Sequence, residues 1–369
     1  MRILVLICSS IIGFSAIAQD DGLSRKENIT LFNEAQRCYK AAIQAGRQIT
    51  ESIRCAKTSL DIGLSLFEPD SKNIAGLTYN YGIALSKGVG SRDKVIYLIE
   101  QSLALFEKQY GTDSLVLVDI LIGLDNTRNS IKKLSKPVVD RNYKRALKIV
   151  ASNSGEDSLE YADAALSISM GLMETVRSYR DLGTTKKYAT IAIDIYSKKL
   201  DPDSTSVTMA SFHLGKIAMM GKNYKSAINS LEQATQNPQM ASYAHAFLVE
   251  AYDRTNDHDL ATFHAQQLGR LKLQGRENSN HIPLFVKHAK YPKTAQRNGK
   301  EGYVIVELTI SKEGLALDPI VIEEKPKGQK FGKAALKAAS SLRYAPRFVD
   351  GEPEEVPGVL YKYSFKMAR

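Results

Sequence analysis

From about residue 28 to 273, apolar side chains recur at helical spacing, and the pattern is punctuated at regular intervals. Pro69-Asp70-Ser71, Thr112-Asp113-Ser114, Glu156-Asp157-Ser158 and Pro202-Asp203-Ser204 each stand just before such a stretch. Their spacing, roughly 43 to 46 residues, leaves room for two helices and a turn, and periods of this length mark a helical solenoid. Asp and Ser accept hydrogen bonds from the unpaired N–H groups of a helix start, so each pair reads as an N-cap. After residue 283 the pattern changes. Val304, Val306, Leu308 and Ile310 share one face and Tyr303, Glu307 and Thr309 the other, which is a strand with one buried face. Ser311 to Gly314 reads as a hairpin turn, and Ala316 to Glu323 as the return strand with Pro319 at a bulge or edge. Phe331, Ala334, Ala335, Ala338 and Leu342 form the buried stripe of an amphipathic helix. A last strand, Val359 to Phe365, puts Val359, Tyr361, Tyr363 and Phe365 on one face and Leu360, Lys362 and Ser364 on the other. The expectation is a multidomain chain. An all-α repeat array spans 28–273, a polar linker 274–283, and a small α+β domain 284–369 with a three-stranded antiparallel sheet and a helix.

The clearest repeat begins near Thr208. Leu214-Gly215, Tyr224, Ala227, Leu231, Ala234 and Pro238 are followed in register by Leu248, Tyr252, Ala261 and Leu268. Small residues fall where two helices approach closely, and larger apolar ones fill the gaps. This spacing resembles the tetratricopeptide (TPR) repeat, although the tryptophan of that consensus is absent. The resemblance implies a surface that binds peptides or proteins. Tyr79, Tyr81, Tyr179 and Tyr252 could face such a ligand, but at helical spacing they also fit core positions.

Tyr291-Pro292, Ala295, Gly299, Glu301-Gly302, Gly314, the Phe331 helix, Tyr344-x-Pro346 and the aromatic last strand follow one another in an order that resembles the C-terminal domain of the TonB energy-transducer family. No single motif is diagnostic; the order over the whole domain is. The resemblance implies a periplasmic domain that captures a short extended segment of an outer-membrane receptor on its sheet edge. Here that role would fall on Val359, Leu360, Tyr361, Lys362, Tyr363, Ser364 and Phe365, acting through backbone groups. The usual transducer also has an uncleaved N-terminal membrane helix and a long Pro-rich spacer. This chain has no such spacer: its 11 prolines do not cluster between 19 and 280.

The N-terminus has Met1-Arg2, an apolar run from Ile3 to Phe14, and Ala16-Ile17-Ala18 at the cleavage positions. Residues 1–18 therefore read as a cleavable signal peptide that exposes Gln19. The apolar run is short of the ~20 residues a spanning helix needs. Cys38 and Cys55 sit nearly equidistant from a turn near Gly46, so an antiparallel helix hairpin would bring them to one height. They would form a disulfide in an oxidising compartment, or pack as two small buried thiols. Two helical cysteines alone do not make a four-ligand zinc site. The net charge of +10 is concentrated after residue 280, which would suit anionic lipid, cell-wall polymer or an acidic peptide, or simply a well-solvated surface. Export argues against nucleic acid. No phosphate-cradling, nucleophile-elbow or zinc-protease pattern is present, the six histidines are scattered, and no catalytic, cofactor or metal residue is assigned.

Together these readings point to a periplasmic protein-binding adaptor of a TonB-type transport system. Its partners would be proteins: a TonB-dependent outer-membrane receptor or a TonB-system component. The alternatives are a transducer anchored in the inner membrane, and a cell-envelope scaffold whose terminal domain docks on cell wall or on another copy.

Overall fold

A computed structural model describes residues 24–46, 48–88, 91–131, 141–175, 182–273 and 281–367. The leader expected at 1–18, Tyr179 and most of the linker expected at 274–283 lie outside those residues. The chain divides into two compact units, one ending at Lys199 and one beginning at Leu200.

The first unit is a run of antiparallel helix pairs. They are α1 (Arg25–Ala45) with α2 (Ile49–Leu66), α3 (Lys72–Ser86) with α4 (Arg92–Tyr110), α5 (Val118–Ile131) with α6 (Arg141–Ser154), and α7 (Leu159–Thr175) with α8 (Leu182–Lys199). A 3-10 turn, Leu115–Leu117, leads into α5. The second unit continues with α9 (Thr205–Met220), α10 (Tyr224–Ala234), α11 (Pro238–Arg254) and α12 (His258–Leu273). The array is TPR-like in its pairing, and a small α+β domain follows it.

The periodic Asp-Ser pairs sit where the spacing predicts, with a division of labour that the sequence does not show. The serine does the capping. Ser71 Oγ accepts from Ile74 N–H, Ser114 from Val116, Ser158 from Tyr161 and Ser204 from Val207, at 3.1–3.4 Å. The residues just before it hold the second helix of the same pair. Lys108 is salt-bridged to Asp70, Lys199 Nζ lies 3.6 Å from Asp157, Asn153 donates to Asp113 O (3.1 Å), and Gln233 donates to Pro202 O (2.6 Å). One loop thus starts one helix and fastens the end of another, which gives each pair a fixed crossing.

Close approach within a pair needs small residues. A Cβ on Gly215 would lie 2.6 Å from the Leu231 side chain, so this position of α9 admits no larger residue without displacing α10. Helix α6 uses a different device. Asp125, fully buried on α5, accepts from Tyr143 N–H (3.0 Å) and Asn142 Nδ2 (2.7 Å), with Arg128 Nη1 3.6 Å away. Its carboxylate satisfies a first-turn N–H of α6 from a neighbouring helix, where negative charge also suits the helix dipole. Tyr79 and Tyr81, open as ligand contacts or core at the sequence level, are both buried.

In the small domain, α13 (Lys293–Arg297) precedes β1 (Gly302–Ile310) and β2 (Ala316–Lys325). Then come α14 (Phe331–Ala339), β3 (Arg347–Val349), β4 (Glu352–Glu354) and β5 (Val356–Phe365). The main sheet is antiparallel in the order β2-β1-β5, and β3-β4 form a separate two-stranded hairpin that the sequence pattern did not indicate. Val304, Val306, Leu308, Ile310, Val359, Tyr363 and Phe365 bury one sheet face against Phe331, Ala335 and Ala338 of α14. The opposite face carries Ile320, Ile322 and Leu360, all exposed.

Within the second unit this domain packs on α11 and α12. The Arg343 side chain, almost fully buried, donates to Asp253 Oδ1 through Nε (3.1 Å) and to Thr262 Oγ1 through Nη1 (3.2 Å). Arg254 stacks over Phe285 and Arg270 over Phe348. A Cβ on Gly269 would meet Pro346 O at 2.6 Å, so α12 and the domain touch backbone to backbone there.

Candidate functional site

The residues of the C-terminal motif fall into two clamps, one at each end of β1. At the first, Tyr291 stands edge-on to Phe331 and Phe365 (ring centroids 5.8 and 5.6 Å), while its hydroxyl donates to Lys300 O at 2.7 Å. Phe331 and Phe365 stack at 4.4 Å. Pro292 takes the N-cap position of α13. Gly302 lies against this cluster; a Cβ there would be 2.2 Å from Lys325 O and 3.0 Å from the Phe331 ring. At the second clamp, Gly314 closes the β1–β2 turn with φ +77°. Tyr344 N–H donates to Gly314 O at 2.8 Å, and a Cβ on Gly314 would be 2.2 Å from Tyr344 O. Pro346 Cδ is 3.3 Å from the same point. Tyr291, Gly302, Gly314, Tyr344 and Pro346 therefore act by packing and close approach at the two ends of β1, and Pro292 stands at the start of α13.

The sheet has two edges, and they differ. Both register shifts in the β1–β2 pairing place the extra residue on β2, where Pro319 also lacks an N–H and Asp318 has φ +47°. Bulges and proline are how sheets blunt an edge. β5 is regular against β1 from Gly302↔Phe365 to Leu308↔Val359. Among the described residues nothing pairs with its outer side.

The phase of that edge follows from the turn. Ser311 N–H donates to Leu315 O (2.8 Å) and Ser311 O accepts from Gly314 N–H (2.9 Å). Backbone direction alternates along a strand, so Thr309, Glu307, Ile305 and Tyr303 bond toward β2, and their even-numbered neighbours toward β5. Through the register, Val359, Tyr361, Tyr363 and Phe365 bond to β1. Leu360, Lys362 and Ser364 turn their N–H and C=O groups outward. The side chains divide as the alternation predicts. Val359, Tyr363 and Phe365 are buried, Tyr361 is half-buried, and Leu360, Lys362 and Ser364 are exposed. Lys362 Nζ lies 4.1 Å over the Tyr303 ring, clear of the outer edge's backbone ladder.

Cys38 and Cys55 face each other across α1 and α2 with Cα atoms 5.9 Å apart, inside the span a disulfide requires. Glu51 stands beside both sulfurs, and these three side chains are the one His, Cys, Asp or Glu grouping among the described residues close enough to share a cation. Arg54 sits in their midst, Nη2 2.5 Å from Glu51 Oε1 and 3.5 and 3.6 Å from the two sulfurs. Its positive charge opposes a metal ion at that point.

Sequence reasoning missed a histidine cluster, because its members lie on different helices. His245 of α11 and the buried His264 of α12 meet Nδ1 to Nδ1 at 2.8 Å, while His264 Nε2 is 3.0 Å from Glu232 Oε1. Tyr252 donates to the same carboxylate oxygen at 2.8 Å. Burial, with the His264 ring alongside, brings His245 down to about 4. The hydrogen bond from His264 holds Glu232 below its ordinary range. The neutral His245 ring is thus the form that fits the fold. As pH falls from 6.5 toward 4, the unfolded chain takes up a proton that the folded chain refuses, so stability falls. Glu232 adds a further loss as pH drops through its lowered folded-state value. Melting followed by circular dichroism should show the second unit weakening over this window, with a shallower slope in His245→Asn. Equal slopes would remove His245 as the cause.

These features define a class: a TPR-like helical array followed by a TonB-type C-terminal domain. Residues 287–367 match the family described as Gram-negative bacterial TonB protein C-terminal. The match runs from just before α13 to the end of β5, so both clamps and the open edge lie inside it. The sequence matches no curated protein. Among solved structures the chain is similar to BtubC (BKLC) from P. vanneervenii, at 14% identity and a TM-score of 0.38, covering 71% of this chain and 98% of that one. It is also similar to pilF of Pseudomonas aeruginosa, at 11% identity and a TM-score of 0.38, covering 68% and 95%. Likeness at that level is too distant to add to what the helix pairs show directly. The TonB-type domain and the TPR-like array support a role in protein–protein interaction. No helix among the described residues is long and apolar enough to cross a membrane.

Proposed function

We propose that this protein is a periplasmic adaptor of a TonB-type transport system. Its β5 edge takes up an extended segment of an outer-membrane receptor by β-augmentation, and its helical array holds a second protein. The observation that carries this reading is the unpaired β5 edge, regular from Val359 to Phe365, within a domain matching the TonB C-terminal family. Three alternate residues, Leu360, Lys362 and Ser364, offer outward donor and acceptor groups, which is the arrangement an added strand needs. The test is binding of synthetic N-terminal segments of TonB-dependent receptors to the full-length protein, followed by fluorescence anisotropy. Saturable binding that an added strand-forming competitor displaces supports the reading. Absence of binding across a panel of such segments removes it. Mass and fractionation of the mature protein address its place: a soluble periplasmic species starting at Gln19 fits the adaptor, whereas a full-length inner-membrane species fits an anchored transducer.

In that oxidising compartment Cys38 and Cys55 would close a disulfide across the first helix pair. Its sequence separation of 17 implies roughly 3 kcal/mol of stabilisation by loop closure. Dithiothreitol should therefore lower the melting temperature of the protein, and Cys55→Ser should lower it similarly without further response to reductant. Two free thiols by mass in protein taken directly from the periplasm would contradict the bond.

A further inference from the structure

The backbone ladder on β5 has a defined end, and beyond it lies a cleft. Pro357 has no N–H to offer, and Gly358, at φ +73°, turns the chain where the β1–β5 register shifts by one residue. At that point the outward backbone ladder loses a donor and is interrupted. An added strand would there meet a depression of about 480 Å³ walled by Ile282, Val356, Pro357, Gly358 and Leu360, with His281 at its side. None of its walls is an acidic, lysine or arginine side chain. Ile282 and Leu360 are 71% and 60% exposed, the two most exposed large apolar side chains among the described residues from 281 onward, and they line this one cleft. Ile282 also lies outside residues 287–367, so this wall is supplied by the chain that enters the domain.

Resting on the β5-edge reading, we propose that this cleft is a side-chain subsite which selects extended segments bearing a bulky aliphatic residue just beyond their paired stretch. Backbone pairing is indifferent to sequence, whereas an apolar pocket at one end discriminates by burial. Continuity of cleft and edge sets the occupant: any segment paired with Leu360, Lys362 and Ser364 is delivered to it.

The test is selection of random ten-residue peptides on the full-length protein, followed by affinity measurement against variants. Peptides should emerge with a β-forming stretch ended by Leu, Ile, Val or Met. Ile282→Ser should weaken these about tenfold, while versions carrying Ala at that position bind both proteins alike. Leu360→Ser, also at an exposed position, should act in the same direction. If Lys362→Pro abolishes binding but neither serine variant changes it, the edge reading stands and the subsite is overturned. If Lys362→Pro leaves binding intact, the edge reading itself fails. Recovery of no binder counts against both.

Discussion

Lys362→Pro is expected to weaken capture of an extended peptide by about tenfold or more while leaving the domain folded. Two effects act together. The substitution removes one outward N–H, and the net worth of such a hydrogen bond is about 1 kcal/mol. It also puts the pyrrolidine ring where the partner strand must approach. A factor of ten corresponds to about 1.4 kcal/mol, so the lost bond and modest steric displacement suffice. Fold retention follows from the strand phase. Lys362 does not bond to β1, and an edge position whose N–H faces solvent is where a sheet tolerates proline. Tyr361→Pro makes the contrast, because its N–H belongs to the β1–β5 ladder, and it should unfold the domain. Titration of labelled peptide with each variant, checked by circular dichroism, measures both outcomes. Unchanged affinity in folded Lys362→Pro would mean that the partner does not add to this edge.

The second large effect is on the fold. Gly314→Ala should destabilise the second unit by about 3 kcal/mol or more. An L-residue in the left-handed region costs about 1–2 kcal/mol. In addition, its Cβ would stand 2.2 Å from the carbonyl oxygen of Tyr344, a backbone atom that is fixed by its place in the second clamp. The control is Gly351→Ala in the β3–β4 turn. There φ is +86°, yet no atom lies within 4 Å of the added methyl, so only the backbone strain applies. Denaturant unfolding of the two variants should place Gly314→Ala well below Gly351→Ala. Equal losses would show that the Gly314–Tyr344 approach relaxes freely and is not a clamp.

Both predictions separate two roles that the C-terminal motif combines. Tyr291, Gly302, Gly314, Tyr344 and Pro346 act through packing and close approach at the two ends of β1. On the proposed reading, Leu360, Lys362 and Ser364 act through backbone groups that β5 leaves facing outward. Changes in the first set are expected to remove the domain, and changes in the second only the proposed binding.

Local signals carried far in this chain. The Asp-Ser pairs announced the helix starts at Lys72, Leu115, Leu159 and Thr205, because a cap is made within three residues of the chain. Period-two alternation assigned the buried faces of β1 and β5, because each side chain's face follows from its place along its own strand. Spacing about a turn placed Cys38 opposite Cys55. Other features depend on which distant residues meet, and no local pattern encodes that. The order β2-β1-β5, and with it which backbone groups of β5 face outward, required the register of both neighbours of β1. The short β3–β4 hairpin had too few residues to show a period. Asp125 at the start of α6, His245 against His264, and Arg343 buried on Asp253 each join residues on separate elements. By itself, then, the sequence determined the helical repeat, the strand faces and the family of the last domain, since these rest on hydrogen bonds and burial within a few residues. The tertiary structure alone decided which backbone groups of the last strand stay unpaired and what lies at its end, because an unpaired group is defined only by everything that fails to reach it.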